Sequence, residues 1–412
     1  MAQRFLRLSA LGAALTANAL RPAVGANPLA IPSFFGAWLT SELAPQNLAI
    51  TTAGSAAYVA GKRGRLSKSD KVALALNAAS VAGLAHMLRQ AMAARGVVEN
   101  ALCEGLEMNY VERLASAPTE SELTTPWRTV LKPWDISEPR VRRIADIDYV
   151  GDGKFRHKLD VYVPRDGGEN LPVVMQVHGG AWVISHKHQQ GIPLMNHLAA
   201  RDFVCVAPNY PLSPKAKWPE HLVALKRALA WTKENIASYG GDPSFITVTG
   251  GSAGGHLAAM LALTPNDPRF QPGFEQEDTT LQACVPFYGV YDLANTLGTL
   301  AGRTRLDFLL KPLVFGRGSD GATADSATPL LHLGPDAPPF FVIHGAHDSL
   351  VPVAEARELV RRLREVSKEA VAYAELPGTQ HGFDVFHSVR GAHVIRGVER
   401  FIRWVHAGRE ER

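Results

Sequence analysis

The chain has 412 residues, 46% of them apolar, and a formal net charge of +4. That length suits an α/β core with an appendage, and the composition excludes a disordered or collagen-like chain. The three cysteines, Cys103, Cys205 and Cys284, are too few and too scattered for a disulfide framework, and nothing in the composition calls for a metal. In chain order, Arg4 and Arg7 precede the apolar stretch 8–20, which Thr16 and Asn18 interrupt; that interruption weighs against a cleaved leader. Pro22, Pro28, Pro32 and Pro45 break the beginning into short pieces. Residues 71–94 and 101–115 are predicted helices. The stretch 72–88 falls short of the roughly 20 residues that span a bilayer and reads as a buried or interfacial helix.

From about Arg143 apolar strand runs alternate with helical stretches. Strands are predicted at 159–163, 171–177, 202–207, 245–249, 283–288, 340–344 and 371–376. Helices are predicted at 222–238, from 253 to about 263, and at 353–367 and 394–407. Cys205 and Cys284 lie in strand runs and read as buried hydrophobes. This alternation implies a mostly parallel sheet with helices on both faces, whose function sits at the carboxyl ends of the strands. Residues 291–330 interrupt it with an apolar helical insert, expected to project over the sheet as a cap. The chain thus divides into a basic, mostly helical extension, 1–130, and a catalytic domain, 131–412; part of the extension is expected to join the cap. Residues 1–100 hold ten Lys and Arg against Glu42, Asp70 and Glu99, a net of +7 that leaves −3 for the rest. Such a front predicts either a solvated helical face or peripheral contact with an anionic membrane, in a protein that is cytoplasmic or envelope-associated. No nucleic-acid motif accompanies the charge, and no nucleic-acid partner is expected.

Gly250-Gly251-Ser252-Ala253-Gly254 follows a predicted strand and opens a predicted helix. That is the context a nucleophile elbow needs, because small neighbours let the backbone turn sharply beneath an outward serine. His178-Gly179-Gly180-Ala181-Trp182 ends an earlier strand. There, uncovered backbone supplies N–H donors for a developing oxyanion, and the donors expected are those of Gly179, Gly180 and Ala253. His178 is read as holding that loop in shape, and Trp182 as packing. A base and an orienting acid must follow the serine in the order Ser, acid, His. Asp348 and His381 fall in the loops after two successive strands, so the predicted catalytic residues are Ser252, Asp348 and His381. His256 is too close to Ser252 in sequence to act as its base, and His344 belongs to the core. His347 adjoins the acid, and His387, His393 and His406 lie beyond the loop. Asp292 follows a different strand, and Asp336 precedes the relevant one.

These motifs together resemble the hormone-sensitive-lipase-like esterases, a branch of the α/β-hydrolases, over about residues 143–407. Further likeness lies in Tyr210-Pro211-Leu212-Ser213-Pro214, in Gly240-Gly241-Asp242-Pro243, and in Leu350-Val351-Pro352 and Gly382-Phe383 beside the acid and base. With its long front, the chain is most similar to actinobacterial lipase/esterases that carry such an extension, some of which are envelope-associated. Two positions depart from the family pattern. Ala181 stands where a third glycine is common, and Gly251 stands where Asp is common. The resemblance implies an α/β-hydrolase fold and hydrolysis of carboxylic esters through an acyl-enzyme, with no cofactor. The same triad also fits an arylformamidase or a phospholipid or thioester acyl hydrolase. A catalytically silent binding module on this fold is the reading from another class; such proteins lose the serine or the histidine, and this chain keeps both. The physiological ester and the oligomeric state are not encoded in any motif.

Overall fold

The computed structural model describes residues 2–410, and Glu410 by its backbone alone. The front of the chain is helical: α1 (Ala2–Leu20), α2 (Ala30–Glu42), α3 (Ala44–Lys62), α4 (Lys68–Gly105), α5 (Glu120–Leu123) and α6 (Trp127–Val130). The expected helices at 71–94 and 101–115 differ from this. The first is the middle of the 38-residue α4, and the second survives only as that helix's end and a short 3₁₀ turn at Tyr110–Arg113. α4 begins at a capping box, in which Ser67 Oγ accepts the Asp70 N–H and Asp70 Oδ2 accepts the Ser67 N–H.

The described residues then form an eight-stranded sheet of order β1-β2-β4-β3-β5-β6-β7-β8. Its strands are β1 (Val141–Asp148), β2 (Lys158–Pro164), β3 (Leu171–Val177), β4 (Val204–Pro208), β5 (Gly241–Gly251), β6 (Ala283–Phe287), β7 (Phe340–Gly345) and β8 (Val371–Leu376). β2 runs antiparallel to both β1 and β4, and the remaining pairs are parallel. The connecting helices are α7 (Ile192–Ala199), α8 (Glu220–Asn235), α9 (Ala253–Leu263), α10 (Leu300–Arg305), α11 (Gly321–Ser326), α12 (Val353–Val366) and α13 (Val389–Glu410).

Two apolar layers sandwich the sheet, and the strands feed them by alternation. Val173, Met175, Val177, Val204, Val206, Ile246, Val248, Phe340 and Val342 join α8, α9 and α12 on one face. Val174, Cys205, Ala207, Phe245, Phe341 and Ile343 join α7, α13 and the end of α4 on the other. Ala94, Val98, Ala101 and Leu102 of α4 thus belong to the catalytic core. α2 is fastened to it as well, by the fully buried Glu42–Arg390 ion pair at 2.9 Å. In the insert, α10 runs into a π-helical segment, Leu306–Phe315, that contains Pro312, a residue without an N–H to donate. Trp218 N–H and Lys217 Nζ tie this segment down through the carbonyls of Val314 and Leu313.

Candidate active site

Ser252 stands between β5 and α9 at φ 61°, ψ −123°, a conformation that L residues rarely adopt. Its N–H donates to Phe287 O on β6, which holds the turn from below. The flanking glycines leave no room for side chains: a Cβ on Gly250 would lie 2.6 Å from Val177 O, and one on Gly255 would lie 2.8 Å from Phe287 O. The tight packing between β3, β5, β6 and α9 therefore produces the elbow that the sequence predicted.

Asp348 follows β7 and His381 follows β8, and the two loops meet. His381 Nδ1 lies 2.7 Å from Asp348 Oδ2, so the ring presents Nε2 as its free nitrogen. Asp348 is fully buried. Burial alone would raise its pKa, but His381 and His344 outweigh burial and hold the carboxyl below the usual carboxylate range. Its Oδ1 accepts the N–H groups of Leu350 and Val351, both at 2.8 Å. His344 approaches the same carboxylate, with Nε2 3.3 Å from Oδ2, so the core histidine of the sequence reading also touches the acid. Gln380, which no motif flagged, clips the two loops together. Its Oε1 accepts the N–H of Ser349 and of His381, and its Nε2 donates to Ser349 Oγ at 2.6 Å.

The loop after β3 departs from expectation at one donor. The Gly179 N–H is already given to Gln190 Oε1 at 2.5 Å, so it shapes the loop and does not face a substrate. The N–H groups of Gly180 and Ala181 have no acceptor among the described residues, and Ala253 is the first residue of α9, whose N–H has no intrahelical partner. The donors this backbone offers are therefore Gly180, Ala181 and Ala253. Strain concentrates here, with Ala181 at φ 54°, Trp182 at φ 62° and Ser185 at φ 83°. His178 is buried, and its pKa is lowered to about 3 by that burial. It stacks on Tyr210 with centroids 4.3 Å apart and bonds Gly179 O at 2.9 Å, as a loop-shaping neutral ring would. Trp182 packs as expected, donating its Nε1–H to His256 Nδ1 at 3.1 Å. His256 in turn reaches Ala327 O at 2.8 Å and has no nitrogen left for Ser252.

The front helices contribute directly. The Phe34 ring of α2 meets His381 edge-on at 6.1 Å, Trp38 Nε1 donates to Gly382 O at 2.9 Å, and Gly25 N–H donates to Ser349 O at 3.2 Å. Away from this site, Asp146, Asp160 and His188 have the spacing of metal ligands. Lys187 Nζ occupies the space among them, 2.8 Å from Asp146, 2.6 Å from Asp160 and 3.2 Å from His188 Nε2. The Lys187 ammonium and the Arg143 guanidinium, 2.9 Å from Asp160, already balance the two carboxylates.

Several known proteins share sequence or fold with this chain. The family model described as BD-FAE matches residues 159–363. The chain is 41% identical to the probable carboxylic ester hydrolase LipM of Mycobacterium tuberculosis (strain ATCC 25618 / H37Rv), over 98% of this chain and 93% of that one. It is 35% identical to the esterase LipC of the same organism, over 74% and 80% of the two chains. Among solved structures, an inhibited esterase B from Lactobacillus rhamnosis superposes with a TM-score of 0.53 at 18% identity, over 67% of this chain and 91% of that one; this likeness carries the fold alone. The chain belongs to the carboxylic ester hydrolases of the α/β-hydrolase fold.

Proposed function

We propose that this chain hydrolyses carboxylic esters with Ser252 as nucleophile, His381 as general base and acid, and Asp348 as the group that orients His381. The observation that carries this reading is the 2.7 Å bond from His381 Nδ1 to Asp348, in the loops beside a serine held out on a strained elbow. Ser252 Oγ attacks the ester carbonyl carbon as its proton passes to His381 Nε2. The oxyanion that forms accepts hydrogen bonds from the Gly180, Ala181 and Ala253 N–H groups. Collapse expels the alcohol, which takes the proton from His381, and leaves an acyl group on Ser252. Water, deprotonated by the same ring, then releases the acid.

The acyl groups favoured on this reading are apolar. Phe34 walls the base, Ile31 and Phe35 are exposed apolar residues on the same helix, and Leu300 and Phe308 are exposed apolar residues on the insert. The loop before α2 meets α10 where a Cβ on Gly25 would lie 3.2 Å from Ala301. The test is turnover of a p-nitrophenyl ester series from acetyl to palmitoyl. Ser252→Ala is expected to lose on the order of a millionfold in kcat. Retention of full activity by that variant would overturn the triad. An optimum on formamides or thioesters, with esters left intact, would move the substrate class while keeping the triad.

A further inference from the structure

α1, α3 and the front half of α4 pack side by side as an arm whose outer face is apolar and free of charge. Segments 8–20, 44–61 and 72–88 contain no Lys, Arg, Asp or Glu. The residues turned inward on α1 are small or polar: Ser9, Thr16 and Ala19 are buried, while Leu8 is 59% and Leu11 57% exposed. α3 buries only Ala44 and leaves Ile50 70% exposed. Among the exposed positions of the three segments, Thr52 is the one polar residue; the rest are Ala, Gly, Val, Leu and Ile. A water-facing helix carries its charges outside and its leucines inside. α1 does the opposite, while α3 and the front of α4, which buries Leu84 and Met87, turn outward a charge-free face made almost wholly of Ala, Gly, Val and Ile.

The interior of the arm follows the same logic. α1 approaches α4 so closely that a Cβ on Gly83 would lie 2.5 Å from Thr16 Cγ2. Several hydroxyl and amide groups inside are bonded: Thr16 Oγ1 bonds Gly12 O at 2.8 Å, Ser80 Oγ bonds Leu76 O at 3.0 Å, and Asn77 Nδ2 crosses to Ser55 Oγ at 2.8 Å, while the buried Ser9 hydroxyl has no partner among the described residues. Close contact through small residues and polar groups bonded between helices is how helices associate when the surrounding medium is itself apolar.

Charge is confined to the ends. The start of α1, the end of α3 and the start of α4 converge, as the 3.7 Å stack of Phe5 on Tyr58 and the 2.6 Å bond from Tyr58 to Asp70 show. This tip carries Arg4, Arg7, Lys62, Arg63, Arg65, Lys68 and Lys71. Its one acid, Asp70, is buried and paired with Lys62 at 3.0 Å. The charge-free stretches of α3 and α4 are about 26 Å long at 1.5 Å per residue, against a hydrocarbon core of about 30 Å, and long cationic stems bridge such a shortfall. α4 is, among the described residues, the helix long and apolar enough by itself to cross a membrane.

We propose that this arm is embedded in the hydrocarbon of an anionic bilayer, with the basic tip at the phosphate headgroups and the catalytic domain held beside the membrane. The inference is independent of the catalytic reading and replaces the peripheral contact expected from charge alone. A cleft of about 400 Å³ lies between α1, α3 and α4, with Phe5, Leu8, Leu15, Ile50 and Leu84 among its apolar walls and hydroxyl and amide side chains between them.

The test is flotation of the full chain with vesicles made of equal parts phosphatidylcholine and phosphatidylglycerol, washed in molar salt and then in alkaline carbonate. The embedded arm is expected to keep the protein with the vesicles through both washes. Release by either wash would overturn embedding in favour of a surface contact. A detergent-free, soluble oligomer that ignores vesicles would overturn it in favour of self-association through this face. The variant Leu8→Gln/Leu11→Gln/Leu15→Gln alters side chains that touch water in the isolated fold. It is expected to enlarge the unbound fraction by about tenfold or more while leaving turnover of p-nitrophenyl acetate unchanged. Unchanged vesicle retention in that variant would sink the proposal.

Discussion

The ring of Tyr288 lies against the imidazole of His381, with centroids 4.4 Å apart and planes tilted by 55°, and its hydroxyl donates to Asp384. Gly251 makes this possible: a Cβ there would lie 2.7 Å from the Tyr288 hydroxyl oxygen. The glycine that departs from the family pattern thus trades a side chain beside Ser252 for an aromatic platform under His381. Gly251→Ala is expected to push Tyr288 aside and lower kcat by about tenfold to a hundredfold with little change in KM. Tyr288→Phe keeps the platform but leaves a buried carboxylate without its donor, at a cost of about 1–3 kcal/mol in stability. Chemical denaturation alongside steady-state kinetics separates the two effects, and equal kcat in Gly251→Ala and wild type would refute the platform.

The Gln190 side chain holds the Gly179 N–H and so sets the direction of the two N–H groups that follow. Gln190→Ala is expected to lower kcat by about tenfold to a hundredfold, because misaligned oxyanion donors act on the transition state more than on bound ester. A rise in KM at constant kcat would instead place Gln190 in substrate binding.

Asp348 and Asp384 lie in one buried site and respond to pH with opposite signs. Burial is the largest influence on both. At Asp348 it is outweighed by His381 and His344, and the pKa falls; at Asp384 it prevails over the Tyr288 hydrogen bond, and the pKa rises. A depressed folded pKa stabilises above the unfolded value of about 3.9 and loses that stabilisation as pH falls through the folded value. A raised one stabilises below the unfolded value and loses it as pH climbs through the folded value. Asp348→Asn is therefore expected to lower Tm most at neutral pH. Asp384→Asn, which keeps an acceptor for Tyr288, is expected to raise Tm at neutral pH and to converge on wild type in acid. Melting curves across that range check both signs.

Arg390→Ala leaves Glu42 charged and alone in the core, where burial already pushes its pKa up against the pull of Arg390. The expected cost is about 3–5 kcal/mol, whereas Glu42→Leu/Arg390→Met together is expected to be close to neutral. Urea titration of the single and double variants measures the difference.

Chelators are expected to leave ester turnover unchanged, because Lys187 fills the position a cation would take among Asp146, Asp160 and His188. Inhibition by EDTA that added zinc reverses would contradict this.

β3, β5 and β7 were legible because each holds a short, largely apolar run that leads into glycine, as parallel strands buried on both faces do. The positions of Ser252, Asp348 and His381 after β5, β7 and β8 were legible for the same reason, since each residue sits just after such a run. β1 was missed because an edge strand is half solvated and carries Arg142, Arg143 and Asp146, which hide its period. α1 and α3 were missed because prolines dominate the reading of that region and no polar face opposes an apolar one. The free N–H of Ala181 was not legible, because it depends on Gln190 taking the Gly179 N–H, a contact that only the fold creates. Gln190, Tyr288 and Gln380 belong to no motif; only folding brings them beside Gly179 and His381.

α2 is joined to α1 by residues 21–29 and to α3 by Leu43 alone, and it presses Phe34 against His381. α4 then runs without a break from the arm into the catalytic core. The wall of the active site is thus threaded between two arm helices, and no single protease cut releases a complete catalytic unit. A nick before α2 or after it frees an end but leaves Phe34 and Trp38 tethered to the arm on the other side. Such an enzyme has no shed form. Wherever the arm resides, the activity stays, and its supply of substrate is whatever reaches that place.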